Sequence, residues 1–223
     1  MPTPAGLRLV ATAQRCEAEL LTLEAAIVGG DARLEGPLRV STMDILFRRY
    51  HAVFLSFCRR YPGIALTLVC SDDEAVLNRR DADVALRMTN TPPEHLVGKK
   101  VDVVDFAVYA AKATADIVPR PVVHWDERKD ARWLDAWLKQ NAPDSPIGIR
   151  VDVSSAVLRD VVAAGFGAHP LAGFEGDADQ RLVRVSDVDP RHRRHVWLLT
   201  LKELQTTTRV RAFLDHVAGA LAS

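Results

Sequence analysis

Between Gly36 and Leu221 the apolar positions alternate between a period of two and a period near 3.6, the marks of strand and helix. Leu38–Ser41 reads as a short strand. Leu46, Tyr50, Val53, Phe54, Phe57 and Tyr61 trace one face of an amphipathic helix, which Pro62-Gly63 breaks. Ile64, Leu66, Leu68 and Cys70 share one face of a strand. A short helix near Glu74–Asn78, a strand at Ala82–Leu86 and a Thr91-Pro92-Pro93 loop follow. Val97–Ala110 is strand material ending in the apolar run Phe106–Ala110. The second half repeats the theme. Val122–Trp125 and Ile147–Val151 read as strands, and Ala131, Leu134, Trp137 and Leu138 lie on a helix between them. Ser154 or Ser155 caps a helix over Ala156–Ala164, and Gly165-x-Gly167 stops it. Strands at Leu182–Val185 and His195–Leu201 precede a last helix striped by Val210, Phe213, Leu214, Val217 and Leu221. This alternation predicts an α/β fold with mostly parallel sheets.

Residues 1–30 follow a different pattern. Thr3-Pro4 suits a helix opening, and Leu9, Ala13, Cys16, Leu20, Leu23 and Ile27 follow at spacings of 4, 3, 4, 3 and 4. Such an a/d stripe fits a dimerisation seam between two helices; it also fits a helix packed on its own domain. Gly29-Gly30 ends it.

Composition narrows the function classes. A chain of 223 residues, 48% hydrophobic and 26% charged, has the balance of a globular protein of one or two domains. Lys+Arg and Asp+Glu are equal at 29 each, whereas a domain that grips phosphates by itself shows a basic excess. Cys16, Cys58 and Cys70 are few, odd in number and scattered, as in reduced intracellular thiols. No stretch has the apolar length of a membrane span, and the N-terminus lacks the layout of a signal peptide; a cytoplasmic protein is expected.

The search for chemistry yields no enzyme. There is no G-x-S-x-G elbow and no P-loop. Asp81 and Asp83, as alternate residues on a strand edge, face opposite ways and do not form a working carboxylate pair. His192 and His195 have H-x-x-H spacing but stand before a strand without a third ligand nearby, so a solvated basic loop outweighs a zinc pair. No metal or cofactor is expected, and Trp125, Trp133 and Trp137 read as core. Polar residues do collect where strands end and helices begin, at Ser41, Thr42 and Asp44 and again at Ser154 and Ser155. Ligands gather outside the carboxyl ends of strands in α/β sheets, and helix N-termini there offer N–H groups to anions. Plain capping is the other reading of each serine.

Several motifs, in order, resemble the effector domain of LysR-type transcriptional regulators. Gly36-Pro-Leu-Arg-Val resembles its "G-x-L-R-V" opening, Phe57-x-x-x-Tyr61-Pro62-Gly63-Ile64-x-Leu66 its "F-x-x-x-Y-P-x-I-x-L" run, and Asp83-Val-Ala-Leu-Arg87 its "D-V-A-L/I-R". Phe106–Ala111 is similar to its strand crossing between subdomains, Gly165-x-Gly167 with Pro170 to its "G-x-G-I-x-x-L-P", and Arg209-Val-Arg211-Ala-Phe213 to its closing helix. Thr3-Pro4-Ala5-Gly6 resembles the end of the family's winged helix-turn-helix, so residues 1–30 correspond to its linker helix. The helix-turn-helix itself is absent from this sequence.

The resemblance implies two Rossmann-like subdomains joined by two crossover strands, similar to type 2 periplasmic solute-binding proteins. The effector-binding domain would span 36–223, with subdomain I at 37–107 and 200–223 and subdomain II at 108–199. A small-molecule effector would occupy the cleft between them. Ser41, Thr42, Asp44, Arg87, Met88 and Thr89 would line one wall, and Ser154, Ser155, Phe166 and His169 the other. The pattern departs from the family at Ala168, which stands where isoleucine is usual, at His169, and at Pro170, one residue early. His169 either reaches the ligand or is an ordinary surface or core histidine. The implied partners are the effector and a second or further copies of the chain, with DNA reached only through the missing helix-turn-helix and no membrane involved. The alternative is a stand-alone solute-binding protein, or a dominant-negative partner of full-length relatives.

Overall fold

The computed structural model describes residues 3, 10, 12–19, 34–71, 82–126 and 132–221. The chain divides into two compact units, Met1–Asp102 with Val196–Ser223, and Val103–His195. It passes between them twice. The sequence had suggested crossings at 107/108 and 199/200.

The first unit is built on strands β1 (Gly36–Thr42), β2 (Ile64–Cys70), β3 (Val84–Met88), β4 (Leu96–Val104) and β10 (Arg194–Leu201), in the order β2-β1-β3-β10-β4. β1 lies between β2 and β3 and runs parallel to both, so Ser41 lies beside Ala85 and Thr42 beside Leu86. The helix α1 (Asp44–Arg60) has Asp44 in its first turn and Arg59 and Arg60 in its last, charges that complement the helix dipole. Its buried stripe of Leu46, Tyr50, Phe54 and Phe57 packs on the sheet and on the C-terminal helix, which is α5 (Thr208–Leu221) once α2 to α4 are counted. Phe213 sits between Phe54 (ring centroids 6.1 Å) and Phe57 (5.0 Å, edge to face), wholly buried. The Tyr50 hydroxyl donates to Asp102, which also pairs with Arg49 at 2.9 Å. Burial and then the neighbouring carboxylate push the Tyr50 phenol above its usual range.

The second unit holds β5 (Phe106–Ala111), β6 (Val122–Trp125), α2 (Arg132–Asn141), β7 (Ile147–Val151), α3 (Ser155–Ala163), β8 (His169–Ala172), α4 (Gly173–Gly176) and β9 (Leu182–Arg184). β5 pairs antiparallel with β8 and β9, while β6 and β7 are parallel. A parallel bridge from Val122 to Ala168, with Val123 N–H donating to the Ala168 carbonyl (2.9 Å), sets β6 alongside the start of β8. The core gathers Tyr109, Val123, Leu158, Val162 and Leu171. His169 belongs to this core: it is 2% exposed, its Nδ1–H donates to the Val123 carbonyl (2.8 Å), and its ring meets the Trp125 ring edge to face at 5.5 Å. Gly165, at φ +89°, takes the left-handed turn that ends α3, and its N–H bonds the Val162 carbonyl.

One expectation is corrected. The sheets are mixed rather than mostly parallel, since β3–β10, β5–β8 and β5–β9 are antiparallel. The strand material expected over 97–110 divides into β4 and β5, parted at Asp105. The Asp105 carboxylate holds Arg193 (2.6 and 3.2 Å) and its carbonyl accepts from Gly173 N–H (2.9 Å), which turns the backbone from one ladder into the next. Residues 12–19 are helical, with Ala13 and Cys16 exposed; Leu9, Leu20, Leu23 and Ile27 lie outside the described residues, as do the helix expected near Glu74–Asn78 and Asp81. Trp125 and Trp137 are half-buried against apolar clusters, and the Trp133 side chain is outside the described set.

Phe213→Ala should cost about 3–5 kcal/mol, because a fully packed aromatic leaves a cavity; urea denaturation measures it. His169 carries a pH signature. Burial, and to a lesser degree the charge of His124, hold its pKa down to about 4 against the Val123 hydrogen bond. Since the unfolded ring protonates near 6.5 and the folded one does not, its share of stability is complete above pH 6.5. That share falls progressively toward pH 4, by about 3 kcal/mol in all. Urea midpoints of His169→Leu should lack this component, so the wild-type-minus-variant difference should change between pH 6.5 and 4; a constant difference contradicts a buried neutral imidazole.

Candidate functional site

The parallel pairing of β1 and β3 brings their carboxyl ends together, and with them Ser41, Thr42, Asp44, Arg87, Met88 and Thr89. Arg87 is the centre of this group. It is only 7% exposed, its Nη2 donates to Ser41 Oγ (2.6 Å) and its Nη1 to its own strand at the Leu86 carbonyl (3.2 Å). A guanidinium keeps its charge under all ordinary conditions, so burial obliges the fold to supply acceptors. Ser41 and Thr42 are fully buried. Ser41 thus shapes the site by holding Arg87, and the Thr42 hydroxyl lies 3.4 Å from the Met43 carbonyl.

The helix α1 starts beside these strand ends. Met43 is its extended N-cap and offers no side-chain oxygen, so the Asp44 carboxylate accepts the Ile45 N–H instead (2.8 Å). Met88 and Thr89 are half-buried, and the Thr89 hydroxyl accepts the Thr91 N–H (3.2 Å), fixing the turn after β3. Asp83, from the sequence pair with Asp81, is structural: its carboxylate accepts Arg39 N–H at 2.7 Å.

In the second unit Ser154 is the exposed N-cap of α3, its carbonyl accepting Leu158 N–H (2.9 Å), and Ser155 is half-buried beside it. Both follow the carboxyl end of β7. Sequence reasoning missed a polar cluster at the same end. His124, buried on β6, is the register partner of Arg150 on β7, and its Nε2–H donates to Asp135 of α2 (2.9 Å). The Trp125 carbonyl lies 2.8 Å from His124 Nδ1 and accepts from Arg150 Nη1 at 3.2 Å, and that same guanidinium nitrogen stands 3.0 Å from Nδ1. The signal was available: His124 and Arg150 are the polar members of two alternating strands read only as strand material.

Two residues expected on the second wall are elsewhere. His169 is in the core, as described, because β8 is buried along its whole length. Phe166 is 52% exposed but lies at the other end of the strands from Ser154. The register sets Ala168 beside Val122 at the start of β6, and the Phe166 carbonyl packs against Gly148 near the start of β7. The nine residues of α3, about 13 Å of helix, separate the two ends. His192 lies 3.6 Å from Asp189 in a one-turn 3₁₀ helix, and among the described residues no group of three metal-ligating side chains forms. Among them, too, no helix is long and apolar enough to cross a membrane.

Comparison with known proteins adds to this geometry. The chain is similar to CrgA, a LysR-type transcriptional regulator from Neisseria meningitidis, at 22% identity and a TM-score of 0.72, over 99% of this chain and 80% of that one. It is similar to full-length AphB, the Vibrio cholerae virulence activator, at 20% identity and a TM-score of 0.67, over 97% and 79%. It is similar to the CcmR regulatory domain of Synechocystis PCC6803, solved in complex with 2-PG, at 18% identity and a TM-score of 0.67, over 84% and 98%. A search of curated proteins finds no match. The family description "LysR substrate binding domain" matches residues 31–222. The chain therefore belongs to the LysR substrate-binding domain family, with the periplasmic-binding-protein-like α/β fold of LysR-type regulators.

Proposed function

We propose that this chain is the effector-sensing, dimerising part of a LysR-type regulator, and that it binds a small polar or anionic metabolite at its strand ends to modulate transcription. The observation that carries the reading is the buried Arg87 held by Ser41 at the carboxyl ends of two neighbouring parallel strands, beside the start of α1. That arrangement offers a fixed cation next to backbone N–H groups, the chemistry that takes a carboxylate or phosphate. Ser154 and Ser155, at the start of α3, offer a second set of N–H groups in the other unit. The CcmR domain's complex with 2-PG supports a ligand-taking role for a domain of this fold. Residues 1–30 would pair two copies of the chain. A ligand acts as a signal only if it binds two states unequally, a coupling typically worth ~1–3 kcal/mol.

Thermal-shift screening of carboxylate- and phosphate-bearing metabolites should yield a ligand that stabilises the chain. Ser154→Trp places a bulky side chain at an exposed helix cap, so it should leave the unliganded melting temperature almost unchanged and weaken that ligand by tenfold or more. Wild-type affinity in Ser154→Trp would rule out this placement.

A further inference from the structure

The second unit contains a cavity of about 260 Å³ that none of the strand-end residues lines. Its walls include Val108, Val123, Leu134, Trp137 and Ala168, on β5, β6, α2 and the approach to β8. One charged side chain, Arg120, lines it as well. Arg120 Nη2 donates to the Ala115 carbonyl, while Nε is buried with no hydrogen-bond partner, and no acidic group among the described residues forms an ion pair with Arg120. A second depression of about 310 Å³ adjoins the first and shares Arg120, Asn141, Ala142 and Ser145 with it. Ile117 and Val118, both largely exposed, line that outer depression. Arg120 therefore stands where an open, partly apolar vestibule meets a mainly apolar interior.

From this we infer a second binding site in the unit, for a small monocarboxylate with an apolar body. A mainly apolar cavity with a few placed polar groups is the usual make-up of a small-molecule site, and here Asn141, Ser145 and Ser186 stand beside Arg120. The carboxylate would accept charge-assisted hydrogen bonds from Arg120, and the body would fill the space between Trp137 and Ala168. At roughly 30 Å³ for each water-sized group, 260 Å³ holds about nine heavy atoms, the size of a medium-chain fatty acid or a one-ring aryl acid. Asp144 also borders the vestibule, but it is exposed and screened by solvent. This site is independent of the strand-end reading: it shares no residue with Ser41, Arg87 or Ser154.

Octanoate is a suitable probe, with 1-octanol as its uncharged counterpart, titrated calorimetrically into the whole chain. Octanoate should bind one to one. Arg120→Met keeps the aliphatic stem and should weaken octanoate at least tenfold, with less than a threefold change for octanol. Ala142→Phe, filling the space where the two meet, should weaken both, and circular dichroism should show both variants folded. The proposal is overturned if octanoate does not bind at millimolar concentration, or if Arg120→Met and Ala142→Phe bind it as the wild type does. It is also overturned if Ser154→Trp abolishes binding while Ala142→Phe leaves it intact, since the probe would then occupy the strand ends.

Discussion

The burial of one guanidinium organises the first unit. Arg87 cannot shed its charge, so its place at 7% exposure depends on acceptors brought within reach by the sheet itself. The parallel register of β1 and β3 supplies the Ser41 hydroxyl, and β3 supplies its own Leu86 carbonyl. That register in turn depends on the apolar layer of Phe54, Phe57 and Phe213, which fastens α1 and α5 to the sheet. The site is thus a polar consequence of an apolar packing problem, positioned by strands rather than by loops.

The second unit solves a comparable problem in the opposite way. His169 enters the core as a neutral ring, with its donor taken by the Val123 carbonyl and its face against Trp125. Its proton is the one the fold gives up, whereas the first unit retains the charge of Arg87 and builds around it. Polar chemistry near the carboxyl ends of β6 and β7 is instead supplied by His124, Arg150 and the start of α3.

Much of the fold was legible in the sequence because hydrophobic spacing reports directly on which face is buried. The stripe of α1, the strand at Ile64–Cys70, the stop at Gly165 and the cap at Ser154 all follow from such local rules. Strand direction was not legible, because pairing partners are set by tertiary packing: nothing in the spacing of Phe106–Ala111 says that β8 and β9 run against it. Ser41, Thr42 and Asp44 were singled out because they cluster in sequence at a strand–helix junction, and Arg87, Met88 and Thr89 because they follow the Asp83-Val-Ala-Leu-Arg87 motif. Phe166 and His169 were assigned to the second wall by motif position alone, which does not say at which end of a strand a residue falls or whether its side chain enters the core. His124 was overlooked because its partners, Asp135 and Arg150, are distant in sequence.

The central claim is that ligand recognition resides at the strand ends of both units. The most direct measurement is a nuclear magnetic resonance titration of the labelled chain with the metabolite that most raises its melting temperature, following backbone amides. The account predicts shifts concentrated at Thr42–Leu46, Arg87–Thr89 and Ser154–Leu158. Shifts confined to other surfaces, with these amides unmoved at saturation, would contradict it.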